Sequence, residues 1–150
     1  MLQNKIIYKT GTASETQIAQ HLTLCNNQFV PPLNQKVNII VYAKKIAENS
    51  VTFEAWNNTE LAGLVAAYFN DEKKVTVYIT NVSTLKIFRG VGIATTLIKM
   101  CIENAAAQKF EAIILEVDKD NETALALYKK NKFIQMGIKN HSVIMRRIIP

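Results

Sequence analysis

Between Phe88 and Ile98 the chain reads FRGVGIATTLI, an arginine and two glycines at the head of an apolar run. A glycine loop that runs into a helix leaves backbone N–H groups without partners, at the positive end of the helix dipole. Such a loop is a site for an anion, most often a phosphate. Two other stretches hold reactive groups at informative positions. In AIILEV (112–117), Glu116 is a single carboxylate in an apolar run, opposite in alternation to Leu115 and Val117. Burying it is costly unless it is hydrogen-bonded or its pKa rises, and a raised pKa suits a general base near neutrality. A structural carboxylate satisfied by backbone groups fits the position equally well. In NETALALYKKN (121–131), Asn121 and Tyr128 stand seven residues apart and share a helix face. Asn121 also fits as a helix N-cap, and Tyr128 as a buried aromatic beside Ala124 and Leu125.

These groups need elements to hold them. SETQIAQHLTL (14–24) reads as a first helix capped by Ser14 or Thr12, ended by Pro31-Pro32. NIIVYAKKIAEN, with Ile39, Tyr42, Ala43 and Ile46 at helical spacing, reads as a second. The period then changes. SVTFEAWN (50–57), ELAGLVAAYFN (60–70) and VTVYITNVS (75–83) read as three strands of a meander. Ile93, Ala94, Leu97, Ile98, Cys101, Ile102 and Ala105 form a helical stripe after the glycine loop. The apolar run 110–117 is a strand buried on both faces, 121–131 is a helix, and KFIQMGIKN and HSVIMRRII close the chain as two strands. Helix, helix, three strands, helix, strand, helix, two strands predicts an α/β fold with a mixed sheet and helices on both sides. The apolar last strand reads as a sheet edge able to pair with another chain, which leaves monomer and homodimer open.

The chain of 150 residues is expected to form one domain. Apolar content of 49% and charged content of 20% fit a soluble globular protein. No apolar run approaches the ~18 residues needed to cross a bilayer, and no signal-peptide pattern opens the sequence. Cys25 and Cys101 are far apart, which argues against a disulfide framework or a zinc site and for a cytoplasmic home. The net charge of +6 is spread along the chain without an aromatic-interleaved basic stretch, so nucleic acid is not expected as a partner. A multiply charged phosphate ligand accounts for the sign.

Two nucleotide loops are excluded by residue type. No Lys-Ser/Thr pair follows the glycines, as a P-loop requires, and Gly90-Val91-Gly92-Ile93-Ala94-Thr95 lacks the third glycine of a dinucleotide fingerprint. Arg89-Gly90-Val91-Gly92-Ile93-Ala94 instead matches (R/Q)xxGx(G/A). It resembles the acetyl-CoA pyrophosphate loop of the GNAT N-acetyltransferase superfamily. LEVDKDNETALALYKKNKF (115–133) is similar to that family's later motif, a strand ending in LEV, an asparagine, and a tyrosine seven residues on. The resemblance covers about residues 50–140.

The resemblance implies an acetyl-CoA-dependent N-acetyltransferase without a metal. Acetyl transfer to an amine needs a neutral amine, although a free alkyl amine has a pKa near ~10. It also needs stabilisation of the thioester oxygen and of the leaving thiolate. By resemblance, the pyrophosphate lies on the backbone N–H groups of the loop formed by Arg89, Gly90, Val91, Gly92, Ile93, Ala94 and Thr95. Val82, Ser83 and Thr84, on a strand that splays from its neighbour, hold the acetyl and pantetheine groups. Asn121 reaches the pantetheine arm, Tyr128 is the acid for the thiolate, and Glu116 is the base. The family's proline before the arginine is absent, since this chain has Thr84-Leu85-Lys86-Ile87-Phe88. Tyr78, Glu54, Glu60 and His141 are further titratable groups for the acceptor side, with His141 fitting a turn. The acceptor is expected to be a small-molecule amine or amino sugar before a peptide N-terminus. A catalytically silent CoA-binding sensor or interaction module is the rival.

Overall fold

The computed structural model describes residues 5–150. Ser14 opens α1 (Glu15–Cys25) with a capping box: its hydroxyl accepts the Gln17 N–H, and the Gln17 side chain accepts the Ser14 N–H. Two 3-10 turns, Asn26–Gln28 and Leu33–Gln35, carry the chain past Pro31-Pro32. Asn38 then caps α2 (Ile39–Asn49) by accepting the Val41 N–H. The meander follows as β2 (Val51–Asn57), β3 (Glu60–Tyr68) and β4 (Thr76–Thr84). α3 (Ile93–Ala107) crosses to β5 (Ala112–Asp118), and α4 (Glu122–Lys130) leads to the hairpin β6 (Ile134–Lys139) and β7 (Ser142–Ile148).

The expected mixed sheet forms, with one strand more than the periodicity signalled. Ile6–Thr10 is β1, antiparallel to β2, so the sheet has seven strands in the order β1-β2-β3-β4-β5-β7-β6. β1 escapes the periodicity because four of its five residues are exposed, leaving no alternation to read. The C-terminal expectation also needs correction. β7 is inserted between β5 and β6, and the edges of the sheet are β1 and β6. At the C-terminal end of the sheet, the strand open to pairing is therefore β6, which exposes Ile134, Met136 and Ile138, and not β7.

The core lies in two layers. α1 and α2 pack Ile18, Leu22, Ala43 and Ile46 against Trp56, Leu61, Leu64 and Ala66 on one face. α3 packs Ile93, Leu97, Ile98, Cys101 and Ala105 against Ala55, Val65, Val77 and Ile113 on the other. Gly63 sets how close α3 comes: a Cβ there would stand 2.5 Å from Ile93 Cγ2. The start of α3, and the loop before it, depend on that bare backbone.

Glu54 ties β2 to the segment before α1. It is fully buried, and its carboxylate accepts the backbone N–H groups of Thr12 and Ala13, both threonine hydroxyls (Thr12 and Thr52) and the Trp56 indole N–H. Burial alone pushes its pKa up, but the bonds from Thr12, Thr52, Trp56 and Ala13 outweigh it and hold the pKa below the ordinary value. Glu54→Gln leaves donors facing a donor and is expected to cost about 2–3 kcal/mol in urea unfolding at neutral pH. Because the folded pKa is the lower one, this stabilisation is complete above the unfolded value near ~4.3 and disappears as pH falls through the folded value. The gap between wild type and variant should therefore close in acid. A gap that persists at low pH would mean packing, and not the charge, sets the loss.

Candidate active site

The site begins with an interrupted pairing. β4 and β5 run parallel from Thr76↔Ala112 to Ile79↔Leu115 and then part. On the other side of β4, the β3 register shifts so that Ala67 faces Ile79 and Ala66 faces Asn81. Thr80 is thus the extra residue of a β-bulge, a feature that bends and twists a strand. Tyr42 braces the bulge from α2, donating its hydroxyl to the Thr80 carbonyl at 2.7 Å. Beyond it, the Leu85 N–H bonds to the Ala62 carbonyl of β3. Strand alternation then turns the Val82 and Thr84 N–H groups away from β3, into the parting beside β5.

The glycine loop lies past the end of β4, after a 3-10 turn over Lys86–Phe88. Gly90 and Gly92 have φ of 82° and 84°, so glycine is required by backbone conformation. Gly92 is the N-cap of α3 and offers no side-chain cap. Among the described residues, no acceptor takes the N–H groups of Val91, Gly92, Ile93, Ala94 or Thr95; the first bond of the helix is Thr96 N–H to the Gly92 carbonyl. The loop is an open anion cradle on a 15-residue helix. Arg89 stands apart from it. Its own N–H bonds to the Lys86 carbonyl, and its guanidinium donates to Gln28.

Glu116 lies on β5 just past the parting. Leu115 and Val117 are buried in the α3 layer, and Glu116 faces the other way, as its alternation predicts. Among the described residues no backbone group holds it; Lys139 Nζ lies 3.7 Å from its carboxylate. Tyr78 neighbours it, its phenol pushed up by burial and then by the Glu116 charge and Tyr68. Tyr68 and Tyr78 stack at 6.5 Å, and the Tyr68 hydroxyl is buried with no partner among the described residues. Lys45 sits 5.5 Å from the Tyr68 ring centroid. The α1/α2 face of the parting is therefore lined by a carboxylate, tyrosines and two lysines.

On the opposite face, Asn121 caps α4, accepting the Ala124 N–H at 3.2 Å. Tyr128 is the buried residue of that helix, 7% exposed and packed edge-on against Phe133 at 5.9 Å. Among the described residues nothing hydrogen-bonds to its hydroxyl, and burial pushes the phenol pKa well above its ordinary value. His141 ties the β6–β7 turn to Asp120 at 2.7 Å, which fixes the start of α4.

A profile described as the acetyltransferase (GNAT) family matches residues 17–133. The chain belongs to that family. An L-2,4-diaminobutyric acid acetyltransferase of Marinococcus halophilus is 31% identical over 98 residues, 65% of this chain and 56% of that protein. The chain thus spans little more than half the length of the curated relatives it matches. In fold, it is similar to a putative GNAT-family acetyltransferase from Desulfovibrio desulfuricans, with TM-score 0.81 and 9% identity over 97% of this chain and all of that one. It is also similar to an aminoglycoside 6'-N-acetyltransferase complexed with coenzyme A, with TM-score 0.80 and 13% identity over 96% and 97% of the two chains.

Set on the GNAT fold, the residues singled out from sequence divide into groups. Val82, Ser83 and Thr84 stand at the parting, and Val91 to Thr95 in the cradle. Glu116 and Tyr128 lie on opposite faces of the sheet. Glu54, read as an acceptor-side group, is instead the buried staple of β2, and His141 is an exposed turn residue bound to Asp120. Glu60 begins β3 at the turn after β2 and is exposed. Periodicity missed His21 and Gly63, and placed Tyr42 on the helix stripe without its bond to Thr80. Each lies inside a regular element, where its type carries no local signal.

Proposed function

We propose that the chain is an N-acetyltransferase that moves the acetyl group of acetyl-CoA onto a small-molecule primary amine by direct attack. The observation that carries this reading is the parting of β4 from β5 beyond Ile79 and Leu115, continued by an uncapped helix start on the same chain segment. A long anionic thioester needs both features. The N–H groups from Val91 to Thr95 take the pyrophosphate, and those of Val82 and Thr84 polarise the thioester carbonyl. Asn121 borders the pantetheine arm. The amine enters from the α1/α2 face, where Glu116 accepts its proton beside Tyr78. As the amine nitrogen bonds to the carbonyl carbon, the C–S bond breaks and the Tyr128 phenol gives its proton to the thiolate. The name of the curated relatives supports a short diamino acid as acceptor, and Lys45 beside Tyr68 supplies positive charge for its carboxylate.

Calorimetric titration with acetyl-CoA and CoA, followed by thiol release with L-2,4-diaminobutyrate, 1,3-diaminopropane and an amino sugar, tests this. Micromolar binding is expected, with fastest turnover on the diamino acid. Absence of binding by either thioester or thiol would sink the reading, and binding without turnover on any amine would favour a CoA-sensing module.

A further inference from the structure

His21 has no part in the reaction described above, yet its surroundings are built with care. It lies on α1 and is 2% exposed. Nδ1 meets the Leu61 carbonyl at 2.8 Å, and Nε2 meets the Ser83 hydroxyl at 2.8 Å. A carbonyl only accepts, so Nδ1 carries the proton and Nε2 presents a lone pair. Burial holds the ring's pKa down at about 4, which keeps it in this neutral form. The Ser83 hydroxyl also meets the Asn81 side-chain amide at 2.8 Å. With its one proton on His21, turning the Asn81 amide to present N–H satisfies all three groups. Asn81 and Ser83 are themselves almost fully buried.

The position of this chain of bonds matters more than its energy. β4 loses its β5 partner after Ile79, and Asn81 to Thr84 are then held by β3 on one side only. The His21–Ser83 bond supplies a second anchor, from a different layer, at the residue between Val82 and Thr84. We infer that His21 is a positioning residue for the acetyl group: through Ser83 it fixes the unpaired half of β4 and aims the Val82 and Thr84 N–H groups into the parting. This inference rests on the acetyl-CoA reading above and adds to it a residue outside the family's motifs.

The test compares acetyl-CoA with CoA, which differ only by the group that those N–H donors would hold. In His21→Leu and Ser83→Ala, the preference for acetyl-CoA over CoA should fall about 3–10-fold, the worth of one hydrogen bond, with acetyl-CoA affinity falling more than CoA affinity. The pyrophosphate common to both ligands rests on the Val91–Thr95 loop, which His21 does not touch, so the acetyl group is the part of the ligand most exposed to the change. His21→Gln, whose amide offers a donor and an acceptor at nearly the imidazole spacing, should restore the preference. A parallel loss of both affinities, or an undiminished preference in Ser83→Ala, overturns the inference, and Ser83→Ala decides alone if His21→Leu does not fold. Wild type binding both ligands equally well also overturns it, while wild type binding neither overturns the acetyltransferase reading.

Discussion

Gly92→Arg is expected to weaken both acetyl-CoA and CoA by at least ~100-fold, since several charge-assisted N–H bonds are lost together. Gly92 sits at φ 84°, a conformation that an arginine adopts only under strain. To relieve that strain the loop must turn, and the N–H groups of Val91 to Thr95 then cease to converge. The substitution adds a positive charge at an anion site, so an account based on charge alone predicts tighter binding. Calorimetry separates the two: weaker binding means that backbone geometry holds the pyrophosphate, and tighter binding means that it does not. Arg89→Gln is the matched control. Its guanidinium is exposed and already donates to Gln28, so its removal should cost no more than about fivefold, the worth of a solvated ion pair.

The parts of this site that the sequence made legible are those encoded by local chemistry. Two glycines at a helix start announce the cradle, because positive φ and the missing cap are both properties of single residues. Glu116 could be placed on the correct face because strand alternation has a period of two and its neighbours are apolar. The parting of β4 from β5 was legible only through family resemblance. Its physical cause, the extra residue Thr80, is a mismatch between two strands, and neither strand shows it alone. The same limit explains β1, an exposed five-residue edge strand stabilised by its partner β2. It explains the C-terminal hairpin as well. Either strand of a hairpin can join the sheet, and the choice of β7 rests on its pairing with β5 from Ala112↔Ile148 to Asp118↔Ser142. Glu54 and His21 complete the pattern. Both are titratable residues in regular elements, and only the fold distinguishes a five-donor staple from a tether under the active strand.

One physical device links these long-range features. A bulge stores no reactivity of its own, but it ends the β4–β5 ladder while the rest of the sheet stays paired. The freed N–H groups would then be orphaned donors unless something accepts from them. In a binding protein that cost is offset by ligand. Tyr42 on the bulge carbonyl and His21 on Ser83 keep the interrupted strand from collapsing onto β5 in the meantime. The site is thus an opening propped from the α1/α2 layer, and on the proposed acetyltransferase reading this would tie cosubstrate binding to the helices on the acceptor side.

Tyr128→Phe should lower kcat about 100-fold, in the range of a lost general acid, while acetyl-CoA affinity is little changed. The structure makes this variant unusually clean. Nothing in the described chain hydrogen-bonds to the phenol, so its removal leaves no orphaned partner, and Phe keeps the edge-on contact with Phe133. Melting temperature should therefore hold. Burial raises the phenol above its ordinary pKa, so Tyr128 stays protonated across the neutral range and its ionisation contributes no alkaline limb to the rate. A phenol so raised looks too weak an acid for a thiolate, whose ordinary value is near ~8.5. The comparison must be made in the same surroundings, however. The buried thiols of Cys25 and Cys101 are pushed to about 11 and about 12, and a thiolate expelled beside Tyr128 gains basicity in the same way. Burial moves donor and acceptor in the same direction, so the raised phenol does not by itself disqualify Tyr128 as the acid. If kcat is unaffected while stability holds, Tyr128 is a core aromatic and the thiolate takes its proton from water. If kcat falls and thioesters of a more acidic thiol rescue the variant selectively, the phenol is the acid.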